Sequence, residues 1–215
     1  MNKAFIFDMD GIIINSEPVW EKYEQVFLPE LMGSEIYFKI KDKILGRTID
    51  YIYETAGYYG LRLNKEKYIK TYDKYAEKVY SEAGITPGTD ELIEVLNKFD
   101  FKLGLVTASR KYWVELVMKR LRSANKFQYI LSLNDNPDIR PKPFSDGYRK
   151  AMLSLGSIPK STIILEDSEQ GIKAAKASKA LTICFRENLE SGKTDADVSV
   201  NTIENLITFF KIFKL

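Results

Sequence analysis

The chain of 215 residues contains no histidine. Any chemistry it performs must therefore work without an imidazole base, a phosphohistidine, a Ser-His pair or a histidine metal ligand, which leaves carboxylates, lysine and hydroxyls. Cysteine is nearly absent as well: Cys184 stands alone. No internal disulfide can form, and the setting "LTICF" predicts a buried strand position for this thiol. No run reaches the roughly 18 consecutive apolar residues that a membrane helix needs, and the N-terminal apolar run is interrupted by Asp8 before it could act as a signal-peptide core. The expectation is a cytoplasmic protein with no membrane partner. A surplus of one charge is also missing, with 32 Lys and Arg against 30 Asp and Glu. Basic and acidic residues are interspersed, so nucleic acid is not an expected partner despite the small "KRLR" cluster at 119–122. There is no internal repeat or low-complexity segment, and nothing in the composition sets an oligomeric state.

What is present is enough apolar sequence, 45% of the chain, for a sizeable core. From residue 87 onward strands and helices alternate. "TDELIEVLNKF" places Leu92, Val95, Leu96 and Phe99 on one helical face, and "FKLGLVT" then reads as a buried strand. "RKYWVELVMKRL" repeats the helical spacing. The strand "FQYILSL", a helix from about 145 to 155, the strand "STIIL", a helix over "EQGIKAAKAS", the strand "LTICF", a short "DVSV" and a helix from about Ile203 follow. This rhythm predicts an α/β fold with a mostly parallel, Rossmann-like sheet and helices on both faces.

Residues 15–84 break the rhythm. They hold helical patterns and no convincing strand, notably a helix after Asn64, its predicted N-cap, with Tyr68, Tyr72, Tyr75 and Val79 on one face and Ile69, Ala76 and Tyr80 adjoining. The simplest organisation is an α/β core formed by residues 1–14 and 85–215, with an inserted helical domain at 15–84. Hinges fall near Ile14–Ser16 and in "GITPGT", where Gly84, Pro87 and Gly88 supply turn chemistry.

In open parallel sheets ligands bind beyond the carboxyl ends of the strands. The first strand runs into "DMDG", placing Asp8 and Asp10 there; "FKLGLV" runs into Thr107-Ala108-Ser109; "STIIL" runs into Glu166-Asp167-Ser168. Between the last two, "RPKPFSDGY" presents Lys142 between two prolines. Carboxylates brought within a few ångströms repel by about a kcal/mol or more per pair even in wet surroundings. A hard divalent cation resolves this, and Mg²⁺ needs only oxygen ligands. With Lys142 and the Thr107 hydroxyl beside it, such an ion makes a receptor for phosphate. Each element also has a plainer reading. "DMDG" could be a turn, or the start of an EF-hand-like calcium loop, though that loop needs ligands where Ile12 and Ile14 stand. Thr107 could be a helix N-cap, Lys142 a solvated turn lysine, and Ser168 reads best as the cap of the following helix.

"DMDG" followed by "NSE", a strand ending in Thr107, the lysine of "PKP" and "EDSEQGIKAA" together resemble, in order and over nearly the whole chain, the four motifs of the haloacid dehalogenase (HAD) superfamily. Within it the sequence is similar to the β-phosphoglucomutase-like and sugar-phosphate phosphatase branch, with its helical cap inserted after the first motif. The resemblance implies that Asp8 is a nucleophile forming an aspartyl phosphate and that Asp10 is the general acid and base, its backbone carbonyl helping to bind metal. It implies that Thr107, the Ala108 amide and Lys142 hold the phosphoryl oxygens. Asp8 and Asp167 would bind Mg²⁺, with Glu166 supporting it directly or through water. Asp10 argues against a dehalogenase, since those members of the family lack the second aspartate.

The β-phosphoglucomutases resemble one another in a cap histidine shortly after the first motif; here Trp20 stands near that place. "SEPVW" more nearly resembles hexose-phosphate phosphatases. The reading is thus a Mg²⁺-dependent phosphatase of a small phosphorylated metabolite, most simply a sugar phosphate, with a phosphosugar mutase or a catalytically silent phosphate-binding protein as alternatives. Substrate-binding candidates in the cap are Glu17, Trp20 and the loop "LGRT" with Arg47 and Thr48. Their plainer reading is that Glu17 and Arg47 are solvated helix-end residues and Trp20 is cap core.

Overall fold

The computed structural model describes residues 1–44, 47–185 and 195–213. The chain falls into two units, Met1–Ile14 with Ile85–Leu215, and Asn15–Gly84.

In the first unit, six parallel strands form one sheet. They are β1 (Lys3–Phe7), β4 (Phe101–Thr107), β5 (Phe127–Ser132), β6 (Thr162–Glu166), β7 (Leu181–Phe185) and β8 (Val198–Val200), in the spatial order β5-β4-β1-β6-β7-β8. Helices α5 (Thr89–Lys98), α6 (Lys111–Met118), α7 (Asp146–Leu155), α8 (Glu169–Ser178) and α9 (Ile203–Phe213) join or follow them. This is the α/β architecture expected from the alternation of elements. Cys184 is buried in β7, as its setting predicts.

β1 lies in the middle because its side chains suit cover on both faces: Ala4, Phe5, Ile6 and Phe7 are all fully buried. With a period of two, the faces differ in chemistry. Phe5 and Phe7 enter an aromatic layer, with ring centroids 6.0 Å from Phe5 to Phe210 and 5.6 Å from Phe7 to Phe127. Ala4 and Ile6 enter an apolar cluster with Val106, Leu131, Tyr148 and Ile164. Burial of Phe5, Ile6 and Phe7 contributes roughly 1.5–3 kcal/mol each, before entropy is counted. The chain moves from β1 through β4 to β5 at one edge, then crosses back to β6 on the other side of β1. Strand order reverses between β1 and β6, and the crevice at such a switch point is where α/β sheets bind ligands.

The second unit consists of α1 (Glu17–Met32), α2 (Ser34–Ile44), α3 (Ile49–Tyr58) and α4 (Lys65–Glu82). Asn64 caps α4 as predicted, its side chain accepting from the amides of Glu66 at 2.8 Å and Lys67 at 3.3 Å. The buried seam of α4 is Tyr68, Tyr72, Ala76, Val79 and Tyr80, so it follows the i+4 row through Ala76 rather than Tyr75. Tyr75 instead stacks at the margin on Phe27, with centroids 4.3 Å apart. One feature departs from a purely helical insertion. The two passages between the units, β2 (Ile14–Asn15) and β3 (Gly84–Ile85), pair as a two-stranded sheet. These strands are too short to carry a pattern of apolar alternation. Among the described residues, no helix is long and apolar enough to cross a membrane.

Candidate active site

Strand register brings the predicted tips together. Phe7 pairs with Leu105 of β4 and with Leu165 of β6. One residue further on, Asp8 is level with Val106 and Glu166, and its amide still donates to the Leu165 carbonyl at 3.0 Å. The backbone then turns. The Met9 carbonyl accepts from the amide of Ile13 at 2.8 Å, and Gly11 takes φ 77°, in the left-handed region glycine enters without strain. This turn is why two aspartates spaced by two do not share one partner. Asp8 meets Lys142 Nζ at 2.6 Å, whereas Asp10 Oδ2 accepts from the Ser109 hydroxyl at 2.6 Å.

Lys142 reaches the strand tips from the loop before α7. Its ammonium donates to Asp8 at 2.6 Å and to Glu166 Oε1 at 2.5 Å, with its side chain only 9% exposed. The plainer reading of Lys142 as a solvated turn lysine does not describe this burial. Glu166 is fully buried and engaged on both oxygens. Oε1 accepts from Lys142 and from the Tyr148 hydroxyl; Oε2 accepts from the Asp167 amide at 3.2 Å and from the Ser168 amide at 3.4 Å and hydroxyl at 3.2 Å. The Ser168 hydroxyl also caps α8, accepting from the Gly171 amide at 3.0 Å.

Thr107 is buried, and its Oγ1 accepts from the Ser109 amide at 3.0 Å, while Ala108 is half-buried beside it. The threonine hydroxyl therefore shapes the loop after β4. It does not cap α6, whose N-cap is Arg110. Ser132 extends this arrangement, donating to the Ser109 carbonyl at 2.8 Å and to Asp135 Oδ2 at 2.7 Å.

Asp8, Glu166 and Asp167 each offer an oxygen within 4.8 Å of the others, and all three are buried. Against these three carboxylates Lys142 supplies one positive charge, leaving two negative charges to compensate. Burial, reinforced by the Glu166 and Asp10 charges and opposed by Lys142, pushes the Asp8 carboxyl up to about 7. Burial alone would lower the Lys142 ammonium, but the Asp8 and Glu166 charges win and hold it well above its ordinary value. An all-oxygen donor set with a deficit of two charges suits a hard divalent cation such as Mg²⁺.

The remaining predicted residues belong to the helical unit. Glu17 is exposed in the first turn of α1. Trp20 is half-buried and its ring stands 5.6 Å from Tyr72 and 5.9 Å from Tyr80, which is a core position of that unit. Arg47 is exposed, with its guanidinium 5.2 Å from the Tyr51 ring. Thr48 is the N-cap of α3, accepting from the Tyr51 amide at 3.4 Å. Gly46, in the same predicted loop, lies outside the described residues.

Two contributors to the core site, Tyr148 and Gly171, were not singled out in the sequence, and Ser109 was named there only as part of a strand tip. Tyr148 and Ser109 carry hydroxyls that bind the acidic residues, and Gly171 leaves room for the Glu166 side chain. Ser109 is legible as a residue at a strand tip and Gly171 as a glycine inside a helical pattern, whereas the Tyr148 hydroxyl leaves no trace.

The family model described as "Haloacid dehalogenase-like hydrolase" matches residues 5–185. The chain belongs to this family. It is 28% identical to hexitol phosphatase B of Escherichia coli (strain K12) over 185 residues, covering 84% of this chain and 82% of that protein. It is 26% identical to the phosphorylated carbohydrates phosphatase of Thermotoga maritima over 185 residues, covering 82% and 81%. Among solved structures it superposes on a β-phosphoglucomutase of Clostridium difficile with a TM-score of 0.71 at 20% identity, over 100% of this chain and 99% of that one. That last likeness speaks to the fold alone.

Proposed function

We propose that this protein is a Mg²⁺-dependent phosphatase of small phosphorylated metabolites, with sugar or sugar-alcohol phosphates as the favoured substrates. The observation that carries the reading is the buried group of Asp8, Lys142, Glu166 and Asp167 at the β1–β6 switch point. The kinship to the hexitol and carbohydrate phosphatases supports the substrate class. Asp8, Asp167 and the Asp10 carbonyl would hold Mg²⁺, with Glu166 acting directly or through water. A bound Mg²⁺ would neutralise charge on the phosphoryl oxygens beside these carboxylates.

In this reading the Asp8 carboxylate attacks phosphorus and the ester bond breaks, giving an aspartyl phosphate and an alcohol. Asp10 gives the departing oxygen its proton, then takes one from the water that releases phosphate and restores Asp8. Lys142, the Thr107 hydroxyl and the Ala108 amide hold the three phosphoryl oxygens, and stabilising charge there is most of what phosphoryl transfer asks of a protein. Residues 15–84 act as the cap, with Glu17, Trp20, Arg47 and Thr48 as its candidates for contact with substrate.

A phosphosugar mutase is the second reading, supported by the resemblance of the four motifs to the β-phosphoglucomutase-like branch. The absence of histidine weighs against it. The test is a panel of phosphorylated metabolites and an artificial aryl phosphate, incubated with protein and Mg²⁺. Release of inorganic phosphate supports the phosphatase. Interconversion of glucose 1- and 6-phosphates without release supports the mutase, and inertness toward the whole panel sinks both.

A further inference from the structure

Tyr148 lies in the first turn of α7 with 1% of its surface exposed, inside the apolar cluster of Ala4, Ile6, Val106, Leu131 and Ile164. Periodicity alone accounts for its ring there, and a phenylalanine would fill the same space. The hydroxyl is what packing leaves unexplained. It donates to Glu166 Oε1, the same oxygen that accepts the Lys142 ammonium at 2.5 Å. That ammonium also stands 5.6 Å from the centroid of the Tyr148 ring. Ring and hydroxyl thus both face the ion pair that reaches Asp8.

Glu166 has little freedom to respond in any other direction. Its second oxygen is held by the Asp167 and Ser168 amides and the Ser168 hydroxyl. Behind it, a Cβ added at Gly171 would stand 2.0 Å from the carboxyl carbon and from both oxygens. The carboxylate is wedged against α8 at a position only glycine permits, and Tyr148 closes the remaining side.

We propose that Tyr148 is a positioning residue of the reaction centre, whose hydroxyl fixes the Glu166 carboxylate and, through it, the Lys142 ammonium beside Asp8. The kinetic consequence rests on the phosphatase reading, but the geometric one does not. In metal sites, partners that orient a ligand are commonly worth about 10–100-fold in affinity or activity. Tyr148→Phe is therefore expected to lower kcat by about 10–100-fold with KM nearly unchanged, and to weaken Mg²⁺ binding, measured by calorimetry on protein without substrate, to a similar extent. In protein labelled with ¹⁵N at lysine Nζ, the protected ammonium signal of Lys142, assigned by its loss in Lys142→Met, should shift or broaden in Tyr148→Phe. In a Glu166→Gln background the same change should have little further effect, because Tyr148 acts through Glu166.

Wild-type kcat, Mg²⁺ affinity and ammonium signal in a folded Tyr148→Phe would overturn the proposal and leave Tyr148 as core filling. Full independence from Glu166→Gln would do the same. Should Tyr148→Phe not fold, 3-fluorotyrosine at position 148 keeps the shape while strengthening the donor; an unshifted Lys142 signal then overturns the proposal. Should the wild-type protein hydrolyse no phosphate ester, the phosphatase reading fails on its own, and the ammonium signal still decides the role of Tyr148.

Discussion

Each unit of the molecule withdraws a glutamate from solvent, Glu166 fully and Glu24 in part, and the two are treated differently. Glu166, in the α/β unit, is fully enclosed and receives an ammonium, two hydroxyls and two amides. Glu24, in the helical unit, receives the Tyr72 hydroxyl at 2.9 Å. For Glu24, burial outweighs that single hydrogen bond and pushes the carboxyl up to about 7. The difference lies in the surroundings: a cation and several donors are built around Glu166, whereas at Glu24 one donor does not offset the cost of leaving water. A charged cluster of the first kind can serve a reaction. A carboxyl of the second kind links the stability of its surroundings to pH.

The largest expected effect comes from Asp8→Asn, which leaves the Lys142–Glu166 pair in place and removes the proposed nucleophile together with one carboxylate of the proposed metal site. Turnover of an aryl phosphate should fall by on the order of 10⁴-fold or more, with the circular dichroism spectrum unchanged. Retained activity would remove Asp8 from the role. Next is Lys142→Met, which removes the ammonium that Asp8 and Glu166 share. Breaking a buried pair from one side costs about 3–5 kcal/mol, so urea unfolding should show a loss of that size along with loss of activity. A variant of wild-type stability would mean that the ammonium is not holding the cluster together.

Much of this contrast can be seen in the residues, and part of it cannot. Strand β1 was legible because an unbroken apolar run suits cover on both faces, and the tips were legible because a parallel sheet gathers its carboxyl ends at one edge. Asn64 announced the start of α4 because capping is local chemistry. The hydroxyl of Tyr148 was hidden, since a tyrosine in an amphipathic helix scans as an apolar residue whether or not its oxygen has a partner. The engagement of both Glu166 oxygens was hidden for a related reason: it depends on Lys142 and Tyr148, 24 and 18 residues away, arriving together. The seam of α4 shifted from Tyr75 to Ala76 because neighbours, rather than spacing, decide which edge of an apolar stripe is covered. Glu17, Trp20, Arg47 and Thr48 are the opposite case, with motif likeness giving them a role while their own contacts show a helix start, a core ring, a guanidinium over a tyrosine ring and a cap.

The smaller effects lie in the helical unit and sharpen the Glu24 side of the contrast. A folded carboxyl raised from the ordinary 4.5 to about 7 binds more protons than the unfolded chain across that window. Its contribution is therefore fully present below about pH 4.5 and is lost as pH rises toward 7. Glu24→Gln keeps an acceptor for Tyr72 but cannot ionise. It should match wild type near pH 4.5 and exceed it at pH 8 by on the order of 3 kcal/mol in urea unfolding. Equal pH slopes for the two proteins would show that Glu24 ionises normally in the fold. Tyr72→Phe should cost about 1 kcal/mol at pH 5, the net worth of one buried hydrogen bond to a neutral carboxyl. Because the hydroxyl also stabilises the ionised form, its removal should move the upper edge of the pH window above 7. A window that moves down instead would mean that Tyr72 favours the protonated acid, and Glu24 and Glu166 would then differ in more than the number of their donors.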